Sequence, residues 1–387
     1  MRITFLAPGY PWGPSGGMRV VYEYANRLVA RGHEVSVVHP RRLKYPPPSS
    51  PPTPYRWLRE ALADGQRRLW KPSITWQPID KRVRVLLVPD SGSCNIPDGD
   101  AVFATSWHTV ESVLRCSEAK GEKCYLIQGY EVFQGPEALV NATWKAPLHK
   151  VVIAKWLIEL GAELGCTGLT YIPNAVDHVR YRIATPVEER ERRVAMVYSS
   201  VPIKGSADGI EALKIAKAKY PDLKAVFFST CRRLPSVPDW VEFYRNPPQE
   251  FIVNEIYNRS QIFLAPSWTE GWGLPPAEAA CCGCALVATD TGGFREYIED
   301  GVTGLLSPPR DPARLAENLC MLIGNNDLRH RLARAANKAV LQFDWERSTD
   351  LLERLMLEWV TTKTDSKAFK TALTIPKGGP ADGVPDC

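Results

Sequence analysis

The chain alternates short apolar runs with amphipathic stretches. Residues 3–7 are an apolar run, Gly16-Gly17 follows, and Val20, Val21, Tyr24 and Leu28 then fall on one helical face. Gly32-His33 closes that stretch, and residues 34–39 begin a second apolar run. Strand, glycine turn, helix and strand in this order predict a βαβ unit. Further runs at 83–88, 101–105, 124–127, 151–154 and 169–172 lack the alternation of a half-exposed strand. They predict buried strands of a parallel, doubly wound sheet.

A second series begins near Arg193. Strands are predicted at 194–198, 225–229, 262–265 and 285–289, and helices at 206–219, 248–258 and 275–282. Asp311-Pro312 reads as a helix start, with Asp at the cap and Pro at the first helical position, and helices are expected to continue to about residue 360. The charged, proline-containing stretch 184–192 is read as the boundary. The organisation expected is a first Rossmann-like domain over 1–184, a second over 185–343, a crossover helix over 344–360 and an unstructured tail over 361–387. The stretch Pro-Pro-Pro-Ser-Ser-Pro-Pro-Thr-Pro at 46–54 is expected to be a stiff surface loop.

Composition narrows the class. The 387 residues suit two domains, and 44% hydrophobic with 24% charged residues is globular. No apolar run approaches a membrane span, and the N-terminal run is too short for a signal peptide. Ten cysteines in no paired spacing fit a reducing cytoplasm better than a disulfide framework, so the sequons at Asn141 and Asn258 are read as chance matches. The net charge of +5 is localised. Residues 41–84 hold eleven Lys or Arg against Glu60, Asp64 and Asp80, a net of +8, which leaves −3 elsewhere. That stretch is either a solvated face or a patch for anionic lipid headgroups or a charged glycan. No nucleic-acid-binding module accompanies it.

In open α/β sheets ligands bind beyond the carboxyl ends of the strands, so the loops that follow strands carry the candidate chemistry. The strongest runs Ser267-Trp268-Thr269-Glu270-Gly271-Trp272-Gly273-Leu274-Pro275-Pro276-Ala277-Glu278. It reads as strand end, glycine turn and helix start, which presents backbone N–H groups to phosphate or sugar oxygens. Carboxylates flank it. Glu270 can accept hydrogen bonds from hydroxyls, and Glu278, in the expected first helical turn, can accept them from a ribose diol.

This segment resembles the E-x7-E motif of the retaining, GT-B-fold family 4 glycosyltransferases (glycosyl transferases group 1). The resemblance extends over nearly the whole chain to about residue 360. It is carried also by Ser15-Gly16-Gly17-Met18 after the first strand, Ile172-Pro173-Asn174-Ala175-Val176-Asp177 at the junction, and Thr289-Asp290-Thr291-Gly292-Gly293. It implies a GT-B fold, with two Rossmann-like domains whose parallel sheets face across a cleft and a C-terminal helix that crosses back to the first. It implies transfer of a hexose or deoxyhexose from a nucleotide-diphosphate sugar to an acceptor hydroxyl, with retention and without a metal. The nucleotide-sugar is a co-substrate and no cofactor is implied.

By the same resemblance Glu270 contacts the donor sugar and Glu278 the ribose. The backbone of Gly271, Trp272, Gly273 and Leu274 meets sugar and phosphate, and Gly16, Gly17, Thr291, Gly292 and Gly293 lie near the phosphates. His108 is expected to donate to a sugar hydroxyl and Lys204 to neutralise the diphosphate. Glu270, His108 and Lys204 form the expected catalytic set. One departure stands out: Ser199 occupies the place where the family commonly has a second cation, an arginine. Arg19, Arg232 and Arg233 are the candidates to replace its charge. Gln128-Gly129-Tyr130-Glu131 is expected to be an acceptor-side loop.

Other groupings weigh less. Cys281, Cys282 and Cys284 read as packing residues, since zinc needs about four ligands and no second cluster accompanies them. Asp98-Gly99-Asp100 opens a strand instead of following one and reads as a turn. Two rival functions are a non-catalytic nucleotide-sugar or glycan-binding protein of the same fold and a dinucleotide-dependent epimerase or oxidoreductase. The second lacks a full G-x-G-x-x-G, because Pro276 stands at the third glycine. The expected setting is cytoplasmic, peripheral at the inner membrane face through 41–84. There the acceptor is a polysaccharide or glycolipid precursor or a small molecule.

Overall fold

The computed structural model describes residues 1–44 and 74–373, with side chains up to residue 362. The proline-rich loop and most of the basic stretch, residues 45–73, lie outside the described residues, as do residues 374–387.

Two parallel sheets carry the chain. The first contains β1 (Arg2–Leu6), β2 (Glu34–Arg42), β3 (Arg84–Asp90), β4 (Ala101–Ala104), β5 (Glu122–Ile127), β6 (His149–Val152) and β7 (Leu169–Tyr171), in the spatial order β3-β2-β1-β4-β5-β6-β7. Helix α1 (Gly16–Ala30) joins β1 to β2. Helices α2 (Trp107–Leu114), α3 (Glu137–Trp144) and α4 (Lys155–Glu163) fall within the later crossovers. The second sheet contains β8 (Glu191–Val197), β9 (Lys224–Ser229), β10 (Val241–Arg245), β11 (Ser260–Ala265), β12 (Ala285–Thr289) and β13 (Leu305–Ser307), in the order β10-β9-β8-β11-β12-β13. Helix α5 (Ser206–Lys219) follows β8, and α6 (Leu274–Cys281) follows β11. Consecutive register pairs, Phe5 with Val37 and Leu6 with Val38 in the first sheet and Phe263 with Ala195 and Leu264 with Met196 in the second, set apolar side chains on both faces of each sheet. That explains the unbroken apolar runs. In each sheet the strand order reverses beside the first strand, between β1 and β4 and between β8 and β11. These switch points open the crevices into which loops after strands project.

The order and parallel sense of the strands follow the apolar rhythm. The short elements do not. β10 is a half-exposed edge strand of sequence Val-Glu-Phe-Tyr-Arg, and β13 has three residues, so neither makes an apolar run. The expected helix over 248–258 is a single α-turn, Gln249–Phe251, that widens into a π-helix, Ile252–Tyr257. Two buried arginines take carbonyls of its last turn, which have no partner within the helix. Arg193 donates to Glu255 O and Ile256 O, and Arg190 to Tyr257 O. The sequon residue Asn258 is 1% exposed and is bonded to Ala184 N, Arg182 O and Val253 O, which closes it to glycosylation in the folded chain.

Arg190 also donates to Thr185 O (2.9 Å), Ser260 O (3.3 Å) and Cys282 O (2.5 Å), tying the interdomain segment to the second domain. These acceptors are neutral, and each needs a donor once buried. Arg190→Met is therefore expected to lower stability by about 3 kcal/mol, since several carbonyls lose a charged donor together. Thermal unfolding measures this, and a melting temperature unchanged from wild type would contradict it.

Asp311 caps α7 (Pro312–Gly324), its Oδ1 accepting from Arg314 N at 2.9 Å, and α8 (Asn326–Val340) follows. The chain then returns. Helix α9 (Trp345–Leu373) lies against α1, with Trp345 edge-on to Tyr24 at 5.3 Å. Arg31 meets Glu346, Asp350 and Glu353, and His33 meets Glu353. Such ion pairs at a surface contribute little each, so the buried aromatic contact is the firmer anchor. This is the crossover helix that the sequence anticipates, but it does not stop at 360. It runs through the stretch expected to be an unstructured tail as far as Leu373. Residues 361–373 contain no Pro or Gly, so nothing there breaks a helix already nucleated by packing.

Candidate active site

β11 ends at Ala265 and the chain turns through Gly271–Gly273 into α6. Gly273 caps that helix at φ +88°, and a Cβ there would sit 2.4 Å from Phe294 Cε1. Only glycine meets both demands. The turn is anchored from beneath. Trp272 is 1% exposed, its ring packed on Tyr297 at 5.0 Å and on Phe343 at 5.3 Å, and Tyr297 donates to Gly273 O. Trp272 thus contributes backbone to the cleft while its side chain belongs to the core. Pro275 and Pro276 have no N–H, so the first turn of α6 offers the amide of Leu274.

Glu270 faces the loop after β8. Its Oε1 accepts from Lys204 Nζ at 2.8 Å and from Ser267 Oγ at 2.8 Å. Lys204 closes a short 3-10 turn, Pro202–Lys204, and precedes Gly205 at φ +62°. The two loops are laced together by Trp268 N donating to Ile203 O at 2.8 Å. A carboxylate and an ammonium from loops after different strands are thereby held at the switch point of the second sheet, the carboxylate mostly buried and the ammonium partly in solvent. Ser199 is turned to its own loop, its Oγ accepting from Val201 N and its N–H donating to Ser206 Oγ.

The Thr291-Gly292-Gly293 turn after β12 lies directly against the Glu270 loop, since a Cβ on Gly293 would be 2.6 Å from Glu270 O and 2.9 Å from Trp272 N. Thr291 is buried and its carbonyl caps the turn, accepting from Phe294 N and Arg295 N. Gly292 faces the first domain, where a Cβ would meet Trp156 Cγ at 2.3 Å. Trp156, on α4, donates from Nε1 to Gly271 O at 2.9 Å. Sequence reading misses Trp156 because nothing in its own segment marks it. Only the approach of the two domains reveals it.

Glu278 departs from expectation. α6 begins at Leu274, so Glu278 is its fifth residue, beyond the first turn. It is 4% exposed and both oxygens are engaged, Oε1 by Arg19 Nη1 and Oε2 by Tyr257 OH at 3.2 Å. Arg19 also approaches Tyr181 OH at 3.4 Å. Burial, followed by the Glu278 charge, pushes both tyrosine phenols well above their usual range. The carboxylate expected to meet a ribose is here the centre of a buried link between the domains.

On the first-domain side Gly16 and Gly17 open α1, so their amides belong to a helix N-terminus. A Cβ on Gly16 would touch Leu274 Cδ1 at 3.9 Å, and one on Gly17 would meet the Gln128 amide at 3.3 Å. Gln128 O, in turn, lies where a Cβ on Gly271 would be, 2.0 Å away. The glycine loop, the loop after β5 and the Glu270 loop therefore converge. His108 sits in the first turn of α2, its Nδ1 3.2 Å from Ser106 Oγ and its ring tilted against Trp107 at 4.0 Å. Burial lowers its pKa, which favours the neutral imidazole. Glu131 caps the same helix, accepting from Trp107 N at 3.0 Å and from Ser106 Oγ, and burial raises its pKa. Tyr130 turns instead to Asn141 and Glu137.

The remaining groups lie apart from this convergence. Asp98 pairs with Lys120, and Asp100 accepts from Arg2 N, at the start of β4. Cys281, Cys282 and Cys284 are buried, and burial pushes their thiols up, Cys284 to about 11. Among the described residues no group of three or more His, Cys, Asp or Glu is arranged to hold a metal ion, and no helix is long and apolar enough to cross a membrane.

Comparison with known proteins agrees with this geometry. Residues 179–339 match the family described as Glycosyl transferases group 1. A D-inositol 3-phosphate glycosyltransferase of Corynebacterium jeikeium is 35% identical over 112 residues, 29% of this chain and 26% of that protein, so the match spans about a quarter of the relative's length. A protein of the same name from Acidothermus cellulolyticus is 24% identical over 392 aligned positions, 87% of this chain and 84% of that one. Among solved structures, Anabaena HepE in complex with UDP-glucose superposes with a TM-score of 0.68 at 16% identity, covering 92% of this chain and all of HepE. At that identity the likeness speaks for the fold. Residues 179–339, the glycine-turn domain, are thus similar to the glycosyl transferases group 1 family, and the two-domain architecture around them is a GT-B fold.

Proposed function

We propose that this protein transfers a hexose or deoxyhexose from a nucleotide-diphosphate sugar to an acceptor hydroxyl, with retention of anomeric configuration. The observation that carries this reading is the Lys204–Glu270 pair beside the Gly271–Gly273 turn, at the switch point of the second sheet. In this reading Glu270 accepts from donor-sugar hydroxyls and Lys204 faces the diphosphate. The N–H groups of Gly16, Gly17, Leu274, Gly292 and Gly293 hold the remaining oxygens. His108, neutral, donates to a sugar hydroxyl. The acceptor oxygen bonds to the anomeric carbon on the face from which the phosphate leaves, the carbon–phosphate-oxygen bond breaks, and the departing phosphate takes the acceptor's proton. Positioning and preorganised charge supply the rate, and the reaction proceeds in the presence of a chelator. The acceptor is a polysaccharide or glycolipid precursor met at the inner membrane face, to which the basic residues of 41–84 lend support.

The test is nucleotide release from a panel of UDP-, GDP- and dTDP-sugars, with and without lipid-linked acceptors, each repeated in EDTA. Release that depends on acceptor and survives EDTA is expected with at least one donor, and the product's anomeric configuration reports retention. The charge-free Ser199 and the enclosed Glu278 favour one alternative, a nucleotide-sugar-binding protein without turnover. Tight donor binding with no release across the panel would establish that alternative.

A further inference from the structure

Position 199 brings no charge to the site, and the structure ranks the arginines that stand in its place. Arg233 is folded onto its own loop, donating to Val237 O and Pro238 O and pairing with Asp239. Arg295 is paired with Asp290, and Arg310 is stacked over Trp268 at 4.3 Å. Arg232 is exposed on the loop after β9, next to Cys231, whose Sγ lies 3.4 Å from Ser200 Oγ, so it is the nearest rival. Arg19 is different in kind. It lies in the first turn of α1, two residues beyond Gly17, and reaches across to Glu278 on α6. It is thus beside both helix N-termini that converge on the cleft, where Gly16 and Leu274 are in contact range. Its Nε–H is buried without a hydrogen-bond partner. A buried guanidinium donor left unmade is costly, and a guanidinium fork matches phosphate oxygens.

We propose that Arg19, from the first domain, supplies the diphosphate charge that Ser199 lacks, and that Glu278 holds it in place until the donor arrives. This rests on the nucleotide-sugar reading above. The exchange balances in hydrogen bonds. The ribose hydroxyls donate to Glu278 in place of Arg19, and the released fork turns to the diphosphate, a partner of higher charge than one carboxylate. No covalent bond changes. The pair also explains how a carboxylate is tolerated at this buried position on α6: alone, it would be a buried charge without a counter-ion.

The experiment compares affinities of the full chain for a nucleoside diphosphate and for the corresponding nucleoside, by calorimetry, in wild type, Arg19→Met, Arg19→Lys and Arg232→Met. Arg19→Met is expected to lose roughly 10- to 100-fold in affinity for the diphosphate and little for the nucleoside, with Arg19→Lys recovering part of the loss. Equal losses for both ligands would mean that Arg19 only braces Glu278, and would overturn the proposal. So would a selective loss of diphosphate affinity in Arg232→Met with Arg19→Met unchanged. Thermal unfolding of each variant separates a folding defect from a binding one. Wild type that binds none of the UDP, GDP or dTDP panel would strike the nucleotide-sugar reading itself, whereas wild-type binding with an indifferent Arg19→Met strikes this proposal alone.

Discussion

Glu270→Gln should lower turnover by roughly 100- to 1,000-fold while leaving the melting temperature within a few degrees of wild type. The substitution keeps the side-chain shape and removes one negative charge. In the folded chain that charge faces Lys204 Nζ and Ser267 Oγ, both at 2.8 Å, with the Lys204 side chain 40% exposed. With the ammonium partly in water and Glu270 Oε1 still accepting from Ser267 Oγ, the pair contributes modestly to stability, so its loss should be felt far more in chemistry than in folding. In the proposed reaction the carboxylate orients the donor sugar and sets the direction of the lysine, and an amide accepts more weakly and leaves Lys204 undirected. A double-mutant cycle with Lys204→Met sharpens the test. Two groups that act as a unit lose much less together than the sum of their single losses. Turnover in Glu270→Gln within about threefold of wild type would remove Glu270 from the active site.

Gly271→Ala should cost about 100-fold in kcat/KM by holding the domains apart. The added Cβ would lie 2.0 Å from Gln128 O and 3.1 Å from Gln128 C. Both are backbone atoms of the other domain, so no rotamer change relieves the contact. The cheapest relief is to separate the walls of the cleft, which breaks the Trp156 Nε1 bond to Gly271 O and opens the glycine loop from Leu274. Each domain keeps its own sheet, so stability should fall by far less than activity. Small-angle scattering should report a larger radius of gyration for the variant, with saturating donor failing to restore the wild-type profile. A variant with wild-type kinetics and a wild-type profile would show that this contact plays no part in closure.

Much of this molecule is legible along the chain because parallel sheets buried on both faces must be written as apolar runs, and their crossovers as helical periods. Glu270, Lys204 and the glycine turns are legible for a related reason. Each sits at the end of a strand, where local sequence alone decides a turn. What escapes notice is short or remote. β10 and β13 have too few apolar residues to rise above their surroundings. The last turn of the π-helix at Ile252–Tyr257 is closed by Arg190 and Arg193, which reach its carbonyls from some sixty residues away. Trp156 gains meaning only from Gly271 and Gly292 across the cleft.

The sequence by itself determined that there are two doubly wound sheets, where their strands end, and which carboxylate, lysine and glycines stand at those ends. These are local matters of period, capping and backbone freedom. The tertiary structure alone decided what faces what. It paired Arg19 with Glu278 over a separation of 259 residues, turned the Ser199 hydroxyl into its own loop and carried the last helix back onto α1. The strength of a buried charge depends on the counter-charge that the fold delivers to it, and spacing along one segment of chain cannot specify a partner that arrives from another domain.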